Sequence, residues 1–275
     1  EYAAVEFENE RFDFMGNFSL EATFKVDSPP DENNQTIISK GNDTFRIHRG
    51  YEENIDKAVM RVDLDNGESL RLTSTTNIND GEQHQVSGVF DKDTGMASLY
   101  IDGHLENEVS FAAGVGLAAD LQDNELRIGN NQDRPERGFN GFIDEVRVYD
   151  KVRSGEEVLA DYNRELTGAE EGLVALYNFN IEGDETSAAL TNKVTGEQDL
   201  VLRHGATIQH GGIPEITPND ASLVQQAIDR IDEVIGTVPA PEAVMGAALE
   251  AFNGILGDIS AENYDIVASF RDQIA

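Results

Sequence analysis

What most constrains this chain is a run of short alternating segments joined by glycine turns, which fills its first 150 residues. Phe18, Leu20, Ala22 and Phe24 alternate with Ser19, Glu21, Thr23 and Lys25. A period of two gathers the apolar set on one face of a strand. Turn chemistry predicts three hairpins. In the first, residues 62–70, the Asn66-Gly67 pair is expected to take the two positive φ angles of a type I′ turn. Residues 89–96 close through a longer loop ending at Gly95, and residues 100–105 through a tight Asp102-Gly103 turn. Strands this short and closely spaced, with no helical text between them, do not build βαβ units; they call for an antiparallel sandwich or barrel.

The grammar shifts twice further on. Ser154-Gly155-Glu156-Glu157 matches a helix capping box, with Ser at the N-cap and Glu three residues later, and Val158, Leu159 and Tyr162 supply an apolar stripe. Strand-like text returns at 173–179 and 199–202. After Gly211-Gly212-Ile213-Pro214 the spacing becomes helical, through Leu223, Ala227, Ile231 and Val234, then Val244, Ala248, Phe252 and Ile255, then Ile266, Val267 and Phe270. The expected organisation is a β-sandwich over residues 1–212, with its core in 1–165, and a two- or three-helix region over 213–275. About 60 residues of short amphipathic helix are marginal alone. They are expected to pack on the sandwich or on another subunit, which makes them a route to a homo-oligomer or larger assembly.

Charge narrows the partners. Asp and Glu total 53 against 20 Lys and Arg, a formal net charge of −33, and the acids interrupt nearly every segment. Such self-repulsion opposes compaction in dilute buffer, but at about 1 M salt the Debye length falls to roughly 3 Å and most of it vanishes. An acidic surface with only six Lys is expected of a protein from a very salty environment, a halophile or its virus. Nucleic-acid phosphates and anionic membranes would be repelled, and no basic stripe offsets this. No stretch approaches the roughly 20 apolar residues of a spanning helix, so membrane insertion is not expected. With no Cys there is neither disulfide nor thiolate chemistry.

Several motifs carry a family resemblance. Residues 73–91, centred on Asp80-Gly81-Glu82-Gln83-His84-Gln85-Val86, resemble a stretch of laminin-G-like domains in the concanavalin A-like lectin/glucanase superfamily. So do Leu99-Tyr100-Ile101-Asp102-Gly103, Leu126-Arg127-Ile128-Gly129-Asn130 and residues 139–149, in the same order and spacing. The resemblance covers residues 1–165 and implies a mainly β fold, a two-sheet antiparallel jelly-roll sandwich, here followed by a small C-terminal helical segment. Two departures stand out. The family's Trp positions hold other residues, Phe24 and Gln83 among them, and the whole chain lacks Trp. The strand with which such domains commonly open is similar to residues 172–180, placed after the sandwich instead of before it. Those residues, continuing to about 210, are expected to fold back and complete the sandwich as in a circular permutation; the alternative is the stub of a truncated repeat.

No catalytic residue is expected. The superfamily's glucanases set carboxylates on one strand face, whereas Asp144 and Glu145 are adjacent and so face opposite ways. The five His form no H-x-H or HExxH pair. The resemblance implies a structural Ca²⁺ near the sandwich edge, with Asp144 as a ligand, joined by Asn130 or Glu1; otherwise Asp144 fixes a strand crossing through backbone amides. For ligand binding the candidate is the loop 130–138, with Asn131, Asp133, Arg134 and Arg137. Loops on a rigid sandwich are where binding concentrates, although an exposed connector reads the same way. The resulting expectation is a non-catalytic module that recognises a glycan or a neighbouring surface protein, extracellular or on a cell or virion surface. The alternatives are a structural subunit of a virion or cell-surface assembly with no sugar binding, and a carbohydrate-binding appendage of a larger enzyme.

Overall fold

The computed structural model describes residues 2–5, 12–27, 34–50, 52–119, 124–162, 164–179, 189–196, 198–204 and 206–207. In chain order the strands are β1 (Tyr2–Val5), β2 (Phe18–Val26), β3 (Thr36–Lys40), β4 (Phe45–Arg49), β5 (Ala58–Asp63), β6 (Ser69–Thr73) and β7 (Gln83–Asp91). Then come β8 (Met96–Ile101), β9 (His104–Ser110), β10 (Leu126–Ile128), β11 (Gly141–Tyr149), the helix α1 (Gly155–Asp161), β12 (Leu173–Asn178), β13 (Ala189–Thr191) and β14 (Gln198–Arg203). They form two antiparallel sheets. The larger has the order β13-β14-β1-β10-β3-β4-β5-β6, the smaller β12-β11-β2-β7-β8-β9. The expected C-terminal helices of 213–275 lie outside the described residues.

The text after residue 172 enters both sheets. β12 pairs with β11, Val146 opposite Tyr177, and β14 pairs with β1, Ala3 opposite Leu202. Ala175 and Tyr177 project into the same core as Val146 and Val148.

The core lies between the sheets and follows the period-two pattern: Phe18, Leu20, Ala22, Phe24 and Val26 of β2 meet Ile38, Phe45, Ile47, Met60 and Leu72. Phenylalanines occupy its centre in a chain without Trp. Phe18 packs on Phe14, Phe45 and Phe90 with ring centroids 5.2, 5.0 and 5.3 Å apart, and Phe90 stacks on Phe111 at 4.9 Å. Each such pair adds about 0.5–1.5 kcal/mol beyond area burial.

Two local expectations need correction. The Asn66-Gly67 hairpin is not a two-residue type I′ turn: Asp63 pairs with Ser69 and Val62 with Leu70, and of the loop residues Asp65, Asn66 and Gly67 only Gly67 has positive φ, 86°. The three-residue loop wins because it sets Leu70 and Leu72 opposite Val62 and Met60 on the core face. A two-residue loop would shift the register by one and turn those leucines to the wrong side. The Asp102-Gly103 turn is tight as expected, with φ of 51° and 78° and Ile101 opposite His104. The second correction is the outer face of β2, expected to be polar and open. Ser19 and Glu21 are buried there, because α1 and the chain around it cover that face. The capping box of α1 forms, Ser154 Oγ accepting from Glu157 N at 3.2 Å and Glu157 accepting from Ser154 N at 2.8 Å. Val158 is buried against Val89 and Tyr100, whereas Leu159, expected on the same stripe, is exposed. Successive residues of an α-helix project about 100° apart, so with Val158 turned inward its neighbour falls towards solvent.

Candidate functional site

The cleft of interest lies on the outer face of the larger sheet, across β4, β5 and β6. Phe45 and Ile47 of β4 point into the core, so Arg46 and His48 between and after them point out. On β5 Met60 and Val62 point in and Arg61 out; on β6 Leu70 and Leu72 point in and Arg71 out. The register then sets Arg46 directly opposite Arg61, and Arg61 directly opposite Arg71. Three guanidinium groups thus stand in a row across three strands. Like charges placed directly opposite cost roughly 0.2–1 kcal/mol per pair, so two such pairs are a burden on the fold.

Arg137 joins them from a 3₁₀ turn, Pro135–Arg137, between β10 and β11. Together with Asn34, which precedes β3, these side chains and His48 line a cleft of about 170 Å³. Asp63 meets two of these cations: Arg61 bonds its Oδ1 at 3.1 Å, and Arg46 lies 3.9 Å from the other oxygen of the same carboxylate. Burial and the neighbouring Arg61 hold Arg46 down, to about 10, with Asp63 pulling the other way. It still carries its charge at neutral pH. Arg46 also donates to Asn42 O, while its buried Nε has no hydrogen-bond partner among the described residues. Burial, and beyond it the charges of Arg46, Arg137 and Arg71, push His48 down to about 3, against a hydrogen bond to Arg49 O at 2.8 Å. The ring is neutral. Because a carbonyl can only accept, Nδ1 carries the proton and Nε2 is left as an acceptor.

The loop 130–138 divides its predicted ligand residues between scaffold and site. Asn131 is fully buried: its Nδ2 donates to Gly41 O at 2.8 Å and its Oδ1 accepts from Asp133 N and Arg134 N. It ties the loop to the β3–β4 turn instead of meeting a ligand, because only a side chain can satisfy those inward-facing backbone groups. Asp133 accepts from Asn42 N at 2.6 Å, another tie to that turn. Arg134 is exposed and outside the cleft lining; Arg137, held by Asn42 Oδ1 at 3.0 Å, is the one residue of the predicted four that lines it. Arg46, Arg61 and Arg71, which complete the lining with His48 and Asn34, belong to no sequence motif.

Residues 1–159, more than half of the chain, match the family model described as the concanavalin A-like lectin/glucanases superfamily. The chain belongs to that superfamily. Among solved structures, it resembles a Bacteroides ovatus protein provisionally assigned to carbohydrate binding, with 21% identity and a TM-score of 0.59 over 76% of this chain. The match spans only 59% of that protein's length. It also resembles the CBM40 domain of the Ruminococcus gnavus IT-sialidase bound to α2,3-sialyllactose, with 19% identity and a TM-score of 0.50 over 58% of this chain and 91% of that one. At these identities the likeness concerns the fold. No curated protein matches the chain by sequence.

Of the residues that the resemblance implies for calcium, two are described. Asn130 follows β10 in the larger sheet, where its Nδ2 donates to Pro135 O at 3.2 Å. Asp144 lies on β11 in the smaller sheet, at a bulge that lets both Ile143 and Val146 pair inward with β2. Glu1 lies outside the described residues. Among the described residues no three His, Asp or Glu side chains converge on one cation-sized space. Among the described residues the lining of the cleft holds no carboxylate. The buried acids, Glu21 and Glu145 on the covered face of the smaller sheet and Asp161 at the end of α1, form ion pairs with Arg147 and Arg153. No helix of the described residues is long and apolar enough to cross a membrane.

Proposed function

We propose that this protein is a non-catalytic glycan-binding module that works at an exposed surface, extracellular or on a cell or virion, in molar salt. The observation that carries the reading is the polar cleft on the outer face of β4–β6. It presents Arg46, Arg61, Arg71 and the His48 acceptor on rigid strands, where binding geometry is held more firmly than on loops, with Asn34 and Arg137 joining from the connections beside them. Membership of a lectin/glucanase superfamily supports it, as does likeness in fold to carbohydrate-binding domains. That no carboxylate lines the cleft among the described residues supports binding over hydrolysis, since glycoside cleavage needs two of them flanking the bond. A surface crowded with carboxylates and poor in Lys supports the saline setting. A glycan array developed in molar salt tests the reading: retention of a defined set of glycans, weakened in the Arg61→Gln variant, is the expected result. Retention of no glycan by the folded protein would overturn it.

A further inference from the structure

We infer that the cleft selects an anionic sugar, whose carboxylate or sulfate is held by Arg46, Arg61, Arg71 and Arg137 while the His48 ring accepts a hydrogen bond from a hydroxyl. This rests on the glycan-binding reading and narrows it to a ligand class.

Charge placement is the first argument. Of 20 basic residues six are Lys, leaving fourteen Arg, in a chain with 53 acids. Four of those fourteen line one small cleft whose lining, among the described residues, contains no carboxylate. A surface adapted to carry acid everywhere else concentrates cations here. The direct cross-strand placement of Arg46, Arg61 and Arg71 sets like charges against one another, which costs folding free energy. Residues that break a local rule at a stability cost are expected where a site needs them.

The chemistry of the groups sets the ligand. Guanidinium forks match planar or tetrahedral oxyanions through paired N–H···O bonds. The buried Nε of Arg46, unpartnered among the described residues, is a further donor waiting on an acceptor. A bare inorganic anion would have no use for an acceptor in the same lining, yet the tautomer of His48 fixed by Arg49 O supplies one. An acid group flanked by hydroxyls satisfies both. Size points the same way: about 170 Å³ is below the roughly 300–1,000 Å³ of pockets that enclose drug-sized ligands. It suits one terminal acidic ring more than an oligosaccharide chain. In molar salt, with a Debye length of roughly 3 Å, distant charges contribute little and only contact pairs discriminate. Four converging forks provide such contacts.

The test is a glycan array in molar salt carrying matched members: lactose with sialyllactose, a glucoside with its glucuronide, galactose with its sulfated form. The best acidic member is then titrated calorimetrically against wild type, Arg61→Gln, Arg137→Gln and Lys151→Gln. An acidic member should bind at least about tenfold more tightly than its neutral partner, the discrimination expected of a single charge-assisted contact. Arg61→Gln and Arg137→Gln should each lose about tenfold, with circular dichroism unchanged. Lys151→Gln, which removes the same charge from the other sheet, should bind as wild type does. A carboxylated or a sulfated winner supports the inference and identifies which acid is read. If neutral and acidic partners bind equally, the inference fails and the glycan-binding reading stands. If no glycan of the array is retained, both fail.

Discussion

Replacing Arg147 with Met would remove the cation around which the covered face of the smaller sheet is organised. Arg147 Nη1 bonds Glu21 Oε2 at 3.2 Å and donates to Asp161 O at 2.9 Å, Nη2 donates to Arg164 O at 2.6 Å, and Nε bonds Glu145. Arg147 is 3% exposed and Glu21 1%, so water reaches neither end of the pair. Removing one partner of a buried pair costs about 3–5 kcal/mol, because the other charge stays buried without compensation. Here two carboxylates and two carbonyls lose a donor, while Arg153 remains 3.6 Å from Glu21 as partial relief. An expected loss of about 4 kcal/mol follows. The loss should depend on pH. Burial already raises Glu21 above its ordinary 4.5, against the pull of Arg147 and Arg153. Without Arg147 its folded value rises further. A raised folded value stabilises the fold below the unfolded value and loses that contribution as pH climbs through the folded one. The deficit of the variant is therefore smallest in acid and grows towards alkaline pH. Urea unfolding at one fixed molar salt concentration, across that pH range, measures it. The Glu21→Gln/Arg147→Met double variant should be less destabilised than the sum of the single variants. A deficit below about 1 kcal/mol, the scale of an exposed pair, or one indifferent to pH, would refute the reasoning.

Other outcomes follow from the same structure. His84 sits between Asp102 Oδ2 at 2.8 Å and Asp80 Oδ1 at 3.1 Å; burial alone would lower it, but the two carboxylates raise it above 6.5. Its stabilising contribution is therefore full below 6.5 and lost as pH rises through the raised folded value. The stability gap between wild type and His84→Gln, read by thermal melts, should shrink towards alkaline pH, and a gap that widens would contradict this assignment. Gly95 has φ of 71°, and a Cβ there would lie 2.4 Å from Phe111 O. Gly95→Ala should cost more than the roughly 1–2 kcal/mol of the left-handed conformation alone, measured by urea unfolding. If the charge of −33 reflects a saline setting, dialysis to low salt should unfold the protein reversibly; an unchanged circular dichroism spectrum would count against it.

Much of the fold was legible because it rests on local chemistry. The period of two in Phe18–Phe24, the Asp102-Gly103 turn and the Ser154–Glu157 capping box each need only a few neighbouring residues, and each forms. The site was less legible. Arg137, a candidate from its loop, lines the cleft, but Asn131 nearby turns inward, since the loop's own backbone amides need an acceptor. The arginine row was hidden by a single-residue error of register. A type I′ turn at Asn66-Gly67 puts Arg71 opposite Val62, whereas the actual loop puts it opposite Arg61. The alternation of Leu70 and Leu72 with Met60 and Val62 held the correction, because the apolar residues of paired strands must share a face.

By itself the sequence determined the class of the protein: an antiparallel sandwich of the lectin/glucanase type, without cysteine and with a formal net charge of −33. Those properties follow from composition, periodicity and turn residues, which act over a few positions at a time. Only the tertiary structure decided where function could reside. Arg46, Arg61, Arg71 and Arg137 are up to 91 residues apart in a chain that shows no basic stripe, and strand pairing with one loop clamp brings them into a single cleft. It also decided that Glu21, on a face that reads as open, is buried against Arg147. Both outcomes depend on which elements meet, and register and packing between distant segments set that.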